Sequence, residues 1–386
     1  MTDLSNDLVT VMTGWRRQLH AHPEFGFDEK QTSAFVAETL RSFGLTDIAE
    51  GVGGTGVVAT LDRGGSGPVI GLRADMDALR IQERGNHAHC SQNPGIMHAC
   101  GHDGHTAMLL GAARLLTADP DFKGTVRFIF QPAEEWGRGA LAMLDDQLLS
   151  RFPIDEIYGL HNWPGLPVGR FATRVGPLMS AEDNFEIVFT GEGGHASRPH
   201  QIREVLVAAC DAVMSLQTIV SRRTNPADAV VVSVTELTTD GTRNVLPGQS
   251  RVLGDVRSFR PDVSALVETE MRRIAQGIGT AYGCGAEVVY SREFVPLVNH
   301  PAQTELAIAA AARVYGAGSI DRNYPAITAS EDFARFLEHV PGCFAFIGNG
   351  ETSRPLHNAE YEFNDAALMQ GAAWLAGLVT IERAGR

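Results

Sequence analysis

The sequence has no apolar run long enough to cross a membrane, because polar residues interrupt its hydrophobic stretches throughout. The first twenty residues, MTDLSNDLVTVMTGWRRQLH, carry polar side chains where a secretory signal needs an apolar stretch. We therefore expect a cytoplasmic protein that does not associate with membranes.

Positive charge is in the minority, with 32 lysines and arginines against 46 aspartates and glutamates and a net charge of −14. Such a surface repels phosphate backbones, which argues against a nucleic-acid partner. Cysteine is also scarce: there are five, at scattered positions and with no Cys-X-X-Cys pair. An odd, scattered set does not suggest a disulfide framework.

The length of 386 residues exceeds what one hydrophobic core usually organises, so two domains are expected. In the first part apolar runs alternate with amphipathic stretches, which predicts an α/β fold with a mostly parallel sheet. The pattern then changes to β-α-β-β-α-β, the order of a ferredoxin-like domain, before helix-strand alternation resumes. We predict an α/β domain over 1–180 and 294–386, interrupted by an inserted domain over 181–293.

Three of the predicted strands end in side chains that bind metals or protons. Ligands gather at the carboxyl ends of parallel strands, so these side chains are expected to lie close together. They are Asp75 and Asp77 after the strand in 68–77, Glu134 and Glu135 after 124–131, and His161 after the strand that starts near 154.

The segment GIMHACGHDGH, residues 95–105, holds three histidines and a cysteine within eight positions. Cys100 and His102 are two residues apart, so both side chains could face one metal ion from a loop. The helix expected to start near Asp103 would favour a thiolate at Cys100. The alternative is a histidine-rich turn without a ligand. His98 and His105 are expected to play supporting roles.

Two adjacent glutamates at the end of an apolar strand need charge compensation if the site is dry. A metal would supply it, with one glutamate as ligand and its neighbour as general base; the alternative is a solvated acidic turn. For His161, the alternative is a core residue whose hydrogen bonds are satisfied within the protein, which is the more common role of a lone histidine. The whole candidate set exceeds one tetrahedral zinc site and suits two divalent metals. It comprises Cys100, His102, Glu135, His161 and His357, with Glu134 as base.

Several segments spread over nearly the whole chain carry a family resemblance. They are RRQLHAHPEFGFDE, GLRADMDAL, PGIMHACGHDGHTAMLLGAA, GTVRFIFQPAEE, GLHNWPGLPVG, GEGGHASRPH, RNVLPG, SEDFARF and PLHNAEYEFND. In order and spacing they resemble the metal-dependent amidohydrolases of the aminoacylase and carboxypeptidase superfamily. The nearest branch contains hippurate hydrolases and N-acyl-amino-acid amidohydrolases, including those that cleave auxin conjugates.

The resemblance implies an α/β catalytic domain that binds two divalent metals: zinc, manganese, cobalt or nickel. It implies the same five ligands as above and makes Glu134 the base that activates water. Asp75 or Asp77 would orient a ligand from outside the metal shell. The inserted domain would be a lid and dimerisation domain.

The resemblance also assigns roles within the inserted domain. His195, in GGHAS, would polarise the scissile carbonyl and would come from the partner subunit; the alternative is an exposed loop histidine. Asn244 and Arg257 would hold the substrate carboxylate, for which a guanidinium on a strand is well suited. The alternative for Arg257 is a salt bridge on the strand face.

We therefore expect a homodimeric or homotetrameric enzyme that hydrolyses the amide bond of a small-molecule N-acyl amino acid. The substrate would be hippurate-like or an N-acetyl amino acid, and the products a carboxylate and a free amino acid. A dipeptidase or aminopeptidase-like enzyme of the same superfamily, and a non-catalytic metal-binding protein on the same fold, are the alternatives.

Overall fold

The computed structural model describes residues 2–381, which divide into two compact units. The larger unit contains the chain up to Leu178, the segment Val298–Pro325 and the chain from Glu331 onward. The smaller unit contains Met179–Leu297 and the short segment Ala326–Ser330. A discontinuous larger unit with an insertion is therefore the observed organisation.

The bounds of the insertion differ from the predicted 181–293, chiefly because residues 326–330 group with the smaller unit. The Ser180 backbone N–H donates to the carbonyls of Ile327 and Ala329, which attaches this distant segment to the first strand of the smaller unit. Such a contact leaves no trace in the local sequence pattern. Residues 1 and 382–386 of the predicted larger domain lie outside the described residues.

The larger unit is built on one mixed sheet of eight strands, in which the central pairs are parallel. The predicted α/β class with a mostly parallel sheet is therefore confirmed. In spatial order the strands are Asp47–Val52, Gly56–Asp62, Thr125–Gln131, Val69–Asp75, Glu156–Pro164, Gly342–Gly350, Phe171–Ala172 and Ile320–Asp321.

The sequence pattern did not predict the first two strands, which pair antiparallel with each other and with their neighbour. Only three residues, Gly53–Thr55, connect them. So short a connection can join antiparallel strands but not parallel ones, which need a crossover of a dozen residues or more.

Helices pack on this sheet, and the central one, His102–Ala118, is buried on nearly every side. It packs against the first helix and the last one, whose Trp374 is fully buried and donates its indole N–H to Ala307 O over 3.0 Å. The α-helices of the unit are Thr2–Ala21, Lys30–Ser42, His102–Ala118, Gly139–Asp145, Leu148–Arg151, Pro301–Tyr315, Ala334–Leu337 and Leu368–Thr380.

The smaller unit has the predicted β-α-β-β-α-β order, folded as a four-stranded antiparallel sheet with two helices. In its first strand, buried residues alternate with less buried ones, as expected when a sheet has helices on one face only. The elements in chain order are Ala181–Thr190, Leu206–Thr218, Val230–Thr239, Gln249–Ser258, Pro261–Tyr282 and Gly285–Phe294.

Further short strands complete the fold: Gly176–Met179, Leu297–Asn299, Gly194–His195 and Val245–Leu246. The last two pair as a small antiparallel ribbon in the smaller unit. No helix within residues 2–381 is both long enough and apolar enough to span a bilayer.

Candidate metal centre

The candidate ligands collect at one edge of the larger sheet because three neighbouring strands run parallel towards it. Asp75 is the last residue of its strand, and Glu134 and Glu135 open a short 3₁₀ helix two residues after the next strand. His161 differs from the prediction, because it lies inside the strand Glu156–Pro164 rather than after it.

Gly101 separates Cys100, which lies in the preceding loop, from His102, which is the first residue of the helix. The helix begins at His102, one residue before the predicted position, and Gly101 precedes it with a φ of 97°. A side chain there would be strained, and its Cβ would lie 2.2 Å from Asn162 Oδ1. Gly101 is therefore required both for the turn and for the close approach of Asn162.

The five residues predicted as ligands do come together. The Cys100 thiol lies 3.3 Å from His161 Nε2, and His357 Nε2 lies 3.3 Å from Glu135 Oε2. The donor atoms form two compact groups, each within 4.8 Å; Cys100 belongs to both and occupies a shared position between them. The groups are Cys100, His102 and His161, and Cys100, Glu135 and His357.

The chemistry of this donor set fits divalent metal ions. His102 Nε2 and Glu135 Oε1 are buried without a hydrogen-bond partner and lie 3.9 Å apart. Leaving such atoms unsatisfied costs about 1–3 kcal/mol each or more. A cation coordinated by both atoms would remove that cost, and thiolate, imidazole and carboxylate are ligands that zinc accepts.

Asp77 contacts two of the proposed ligands, the ring of His102 and the backbone of Glu135. The ring of His102 places Nδ1 3.0 Å from Asp77 O and 3.1 Å from Asp77 Oδ1, so its Nε2 points into the centre. The other carboxylate oxygen accepts the backbone N–H of Glu135 over 3.0 Å. Contacts of this kind fix ring orientation and tautomer around metal sites.

Asp75 has different partners, because its carboxylate contacts His105 Nδ1 at 2.6 Å and Arg73 at 2.7 Å. His105 in turn places Nε2 2.7 Å from Asn162 Oδ1. Asp75 thus stabilises the packing behind the centre, and its nearest contact with a proposed ligand is 3.9 Å, to His102 Nε2.

A buried ion network centred on Arg73 lies beside the centre and was not predicted from the sequence. This fully buried guanidinium contacts Asp75, Glu331 at 2.9 Å and Asp332 at 3.1 Å. The backbone N–H of Asp332 also faces Glu134 Oε1 at 3.3 Å. The adjacent acids of SEDF, Glu331 and Asp332, are visible in the sequence. Their partner Arg73, however, lies 258 residues before Glu331.

Burial and neighbouring charges shift the pKa values of the central groups. Burial, together with the charges of Glu331 and Glu135, holds the pKa of Glu134 well above its usual value. Burial and Glu135 do the same for the Cys100 thiol. Burial opposes charge on His102, but Asp75 and Asp77 outweigh it and raise the pKa of His102 to about 10. Bound cations would favour the thiolate and the neutral imidazole instead.

Within the smaller unit, His195 lies exposed on the small two-stranded ribbon. The Ser197 backbone N–H donates to its Nδ1 over 3.1 Å. A backbone N–H can only donate, so Nδ1 accepts and the neutral ring carries its proton on Nε2. Asn244 adjoins His195, because its carbonyl accepts the N–H of Ala196 over 3.0 Å.

Arg257 is engaged by acidic neighbours on the strand surface. Its guanidinium lies 2.8 Å from Glu182, 2.9 Å from Asp255 and 2.7 Å from the Ser330 hydroxyl. The structure therefore contains the strand-face salt bridges of the alternative interpretation, and two carboxylates already balance the positive charge.

Comparison with known proteins finds relatives that match nearly the whole chain. The model of peptidase family M20/M25/M40 matches residues 71–381. A hippurate hydrolase of Campylobacter jejuni is 37% identical over 94% of this chain and 94% of its own. An N-acetylcysteine deacetylase of Bacillus subtilis is 38% identical over 96% of this chain and 97% of its own. A crystal structure from Bacillus subtilis, described as a dinuclear metal binding peptidase from the M20 family, superimposes on this chain with a TM-score of 0.85. The two sequences are 35% identical, and the match covers 97% of this chain and 98% of that one.

Replacing Arg73 by leucine should destabilise the larger unit by about 3–5 kcal/mol, because it leaves buried carboxylates uncompensated. The control is Arg17→Leu, since Arg17 is 51% exposed in its ion pair with Asp365 and should contribute about 0–1 kcal/mol. Denaturant unfolding of both variants measures the difference. Equal stabilities would contradict the role given to Arg73.

Proposed function

The chain belongs to peptidase family M20/M25/M40, and we propose that within this family it is a metal-dependent amidohydrolase of N-acyl amino acids. The observation that carries the proposal is the buried carboxyl of Glu134 beside a group of thiol, imidazole and carboxylate donors. The products would be a carboxylate and a free amino acid. The names of the hydrolase and deacetylase relatives support this substrate class.

Cys100, His102, Glu135, His161 and His357 would hold two divalent metal ions. When bound, the ions would supply Lewis acidity, lowering the pKa of water and polarising the substrate carbonyl. Cys100 would be the ligand common to both ions, since its thiol belongs to both donor groups. Whether the ions are zinc, manganese, cobalt or nickel stays a prediction.

Glu134 would be the proton carrier of the reaction. Its carboxylate would take a proton from water as the water oxygen bonds to the carbonyl carbon. The same proton would then pass to the leaving nitrogen as the carbon–nitrogen bond breaks. Burial suits Glu134 to this role, because a carboxyl with a raised pKa accepts and returns a proton more readily near neutral pH.

His195 would donate a hydrogen bond to the carbonyl oxygen as negative charge develops on it. The support for this role is the tautomer set by Ser197, which leaves the proton of the neutral ring on Nε2. That the ring acts from a partner subunit of a homodimer or homotetramer stays a prediction, as does the cytoplasmic location.

Asn244 and Arg257 are kept as proposed contacts of the substrate carboxylate. Asn244 adjoins His195, which supports its assignment. For Arg257, a substrate carboxylate would have to compete with Glu182 and Asp255 for the guanidinium.

The zinc- or manganese-loaded protein is expected to hydrolyse hippurate or N-acetyl amino acids faster than dipeptides, which carry a free α-amine. Amino-acid release over a substrate panel, compared by kcat/KM, measures this. Preferential cleavage of dipeptides would replace the proposal by a dipeptidase, and no hydrolysis of any substrate would leave a non-catalytic metal-binding protein.

Glu134→Gln should retain bound metal and lose about 10²–10⁴-fold in kcat, because the proton carrier is removed while the ligands remain. Cys100→Ser should instead lower the metal content, since the shared thiol is lost. Metal analysis and kinetics on both variants separate the two roles. A metal-loaded Glu134→Gln enzyme with normal turnover would refute the assignment.

His195→Ala should lower kcat about 10²–10³-fold without changing metal content, because one donor to the developing oxyanion is removed. The matched control is His200→Ala, an exposed histidine in the neighbouring 3₁₀ helix, which should leave kcat unchanged. Similar kinetics for the two variants would count against the role of His195.

A further inference from the structure

A second group of metal-binding side chains lies in the larger unit and shares no residue with the centre described above. It is formed around the irregular loop GNHAHC, residues 85–90, between two β-bridged positions of the chain. We refer to this group as the loop cluster. Its members are His20, Glu83, His87, His89, Cys90 and Glu362.

Backbone hydrogen bonds hold the loop between two distant segments. The Gln92 N–H donates to Ala21 O over 2.8 Å, which attaches the loop beside His20 at the end of the first helix. The Arg84 N–H donates to Ala359 O over 2.8 Å, which attaches it to the segment that carries Glu362. The cluster is therefore fixed by the fold and does not depend on a chance approach of surface side chains.

Two imidazole nitrogens converge on one carboxylate oxygen of Glu83. Its Oε1 lies 3.2 Å from His20 Nε2 and 3.0 Å from His87 Nε2. Ligand atoms bound to one tetrahedral zinc at 2.0–2.1 Å lie roughly 3.3 Å apart. Both distances from Glu83 Oε1 are thus close to the separation of ligands on a single zinc ion, and all three donor atoms lie within 4.8 Å of one another.

Two of these three donors, His20 and Glu83, are already oriented by a contact on their far side. The His20 ring places Nδ1 2.8 Å from Asp103 Oδ2, the carboxylate–histidine arrangement that presents Nε2 to a metal. Glu83 Oε2 accepts the backbone N–H of Ser91, which leaves Oε1 facing the two rings. Gly85 leaves room there, because a Cβ at that position would lie 2.9 Å from both Glu83 Oε1 and His87 Nε2.

Unsatisfied nitrogens are the second observation that points to a ligand. Nε2 of His87 and Nε2 of His89 are both buried, and neither makes a hydrogen bond of acceptable geometry. Their carboxylate neighbours are close, at 3.0 Å for Glu83 and 3.1 Å for Glu362, but poorly aligned. Buried polar atoms in this condition call for an ion or a water molecule between them.

We propose that the loop cluster is a third, structural metal site, with zinc or a similar divalent ion held by His20, Glu83 and His87. His89 and Glu362 lie at its rim, where the Glu362 side chain is 46% exposed. Two imidazoles and a carboxylate are a donor set that zinc accepts. The bound ion would fasten the end of the first helix, through His20, to the segment that carries Glu83 and His87.

Diffraction from zinc-soaked crystals of the full-length protein, with anomalous data at the zinc edge, tests the site directly. The expected result is a peak between His20 Nε2, His87 Nε2 and Glu83 Oε1. The absence of a peak there, in crystals soaked at zinc concentrations that fill the centre at Cys100, would overturn the proposal.

Zinc content after dialysis against a zinc buffer gives an independent measurement. His87→Ala should lower it by about one equivalent per chain, whereas His339→Ala, an exposed histidine elsewhere, should not change it. The loss should add to that of Cys100→Ser, because the two sites have no common ligand. Glu83→Gln, which preserves volume, is the second variant if His87→Ala does not fold, and wild-type zinc content in either folded variant would refute the site.

Discussion

The buried guanidinium of Arg73 is the interaction on which the candidate centre depends. Parallel strands bring acidic side chains to one dry edge of the sheet, where repulsion would otherwise raise the free energy of the fold. Arg73 contacts three of these carboxylates and so lets Glu134 remain buried beside them. Metal ligation would then take place next to a network in which Arg73 already compensates part of the negative charge.

The sequence was sufficient to predict the class of the sheet and the residues that meet at its edge, because both depend on local patterns. Apolar runs ending in Asp75, Glu134 and Glu135 mark strand ends, and a parallel sheet brings strand ends together. The metal-ligand roles themselves stay predictions. What supports them is the meeting of thiol, imidazole and carboxylate donors at one point.

Two of the missed features depend on contacts between residues far apart in the chain. Arg73 could not be matched to Glu331 and Asp332 without the fold, and the segment 326–330 joins the smaller unit through hydrogen bonds to Ser180. The antiparallel hairpin at the sheet edge was missed for another reason. Its three-residue turn, Gly53–Thr55, is a local signal for a hairpin. The alternation of strands and helices elsewhere in the sequence favoured parallel strands instead.

The discontinuity of the larger unit has a consequence for how the chain is made. Strand Gly342–Gly350 lies between Glu156–Pro164 and Phe171–Ala172, so the sheet has a gap until the ribosome has released most of the polypeptide. Nearly all of the smaller unit, by contrast, is one continuous stretch that ends at Leu297. Because domains generally fold as units during synthesis, the inserted unit can be nearly complete while the larger unit, whose sequence continues after it, is still unfinished.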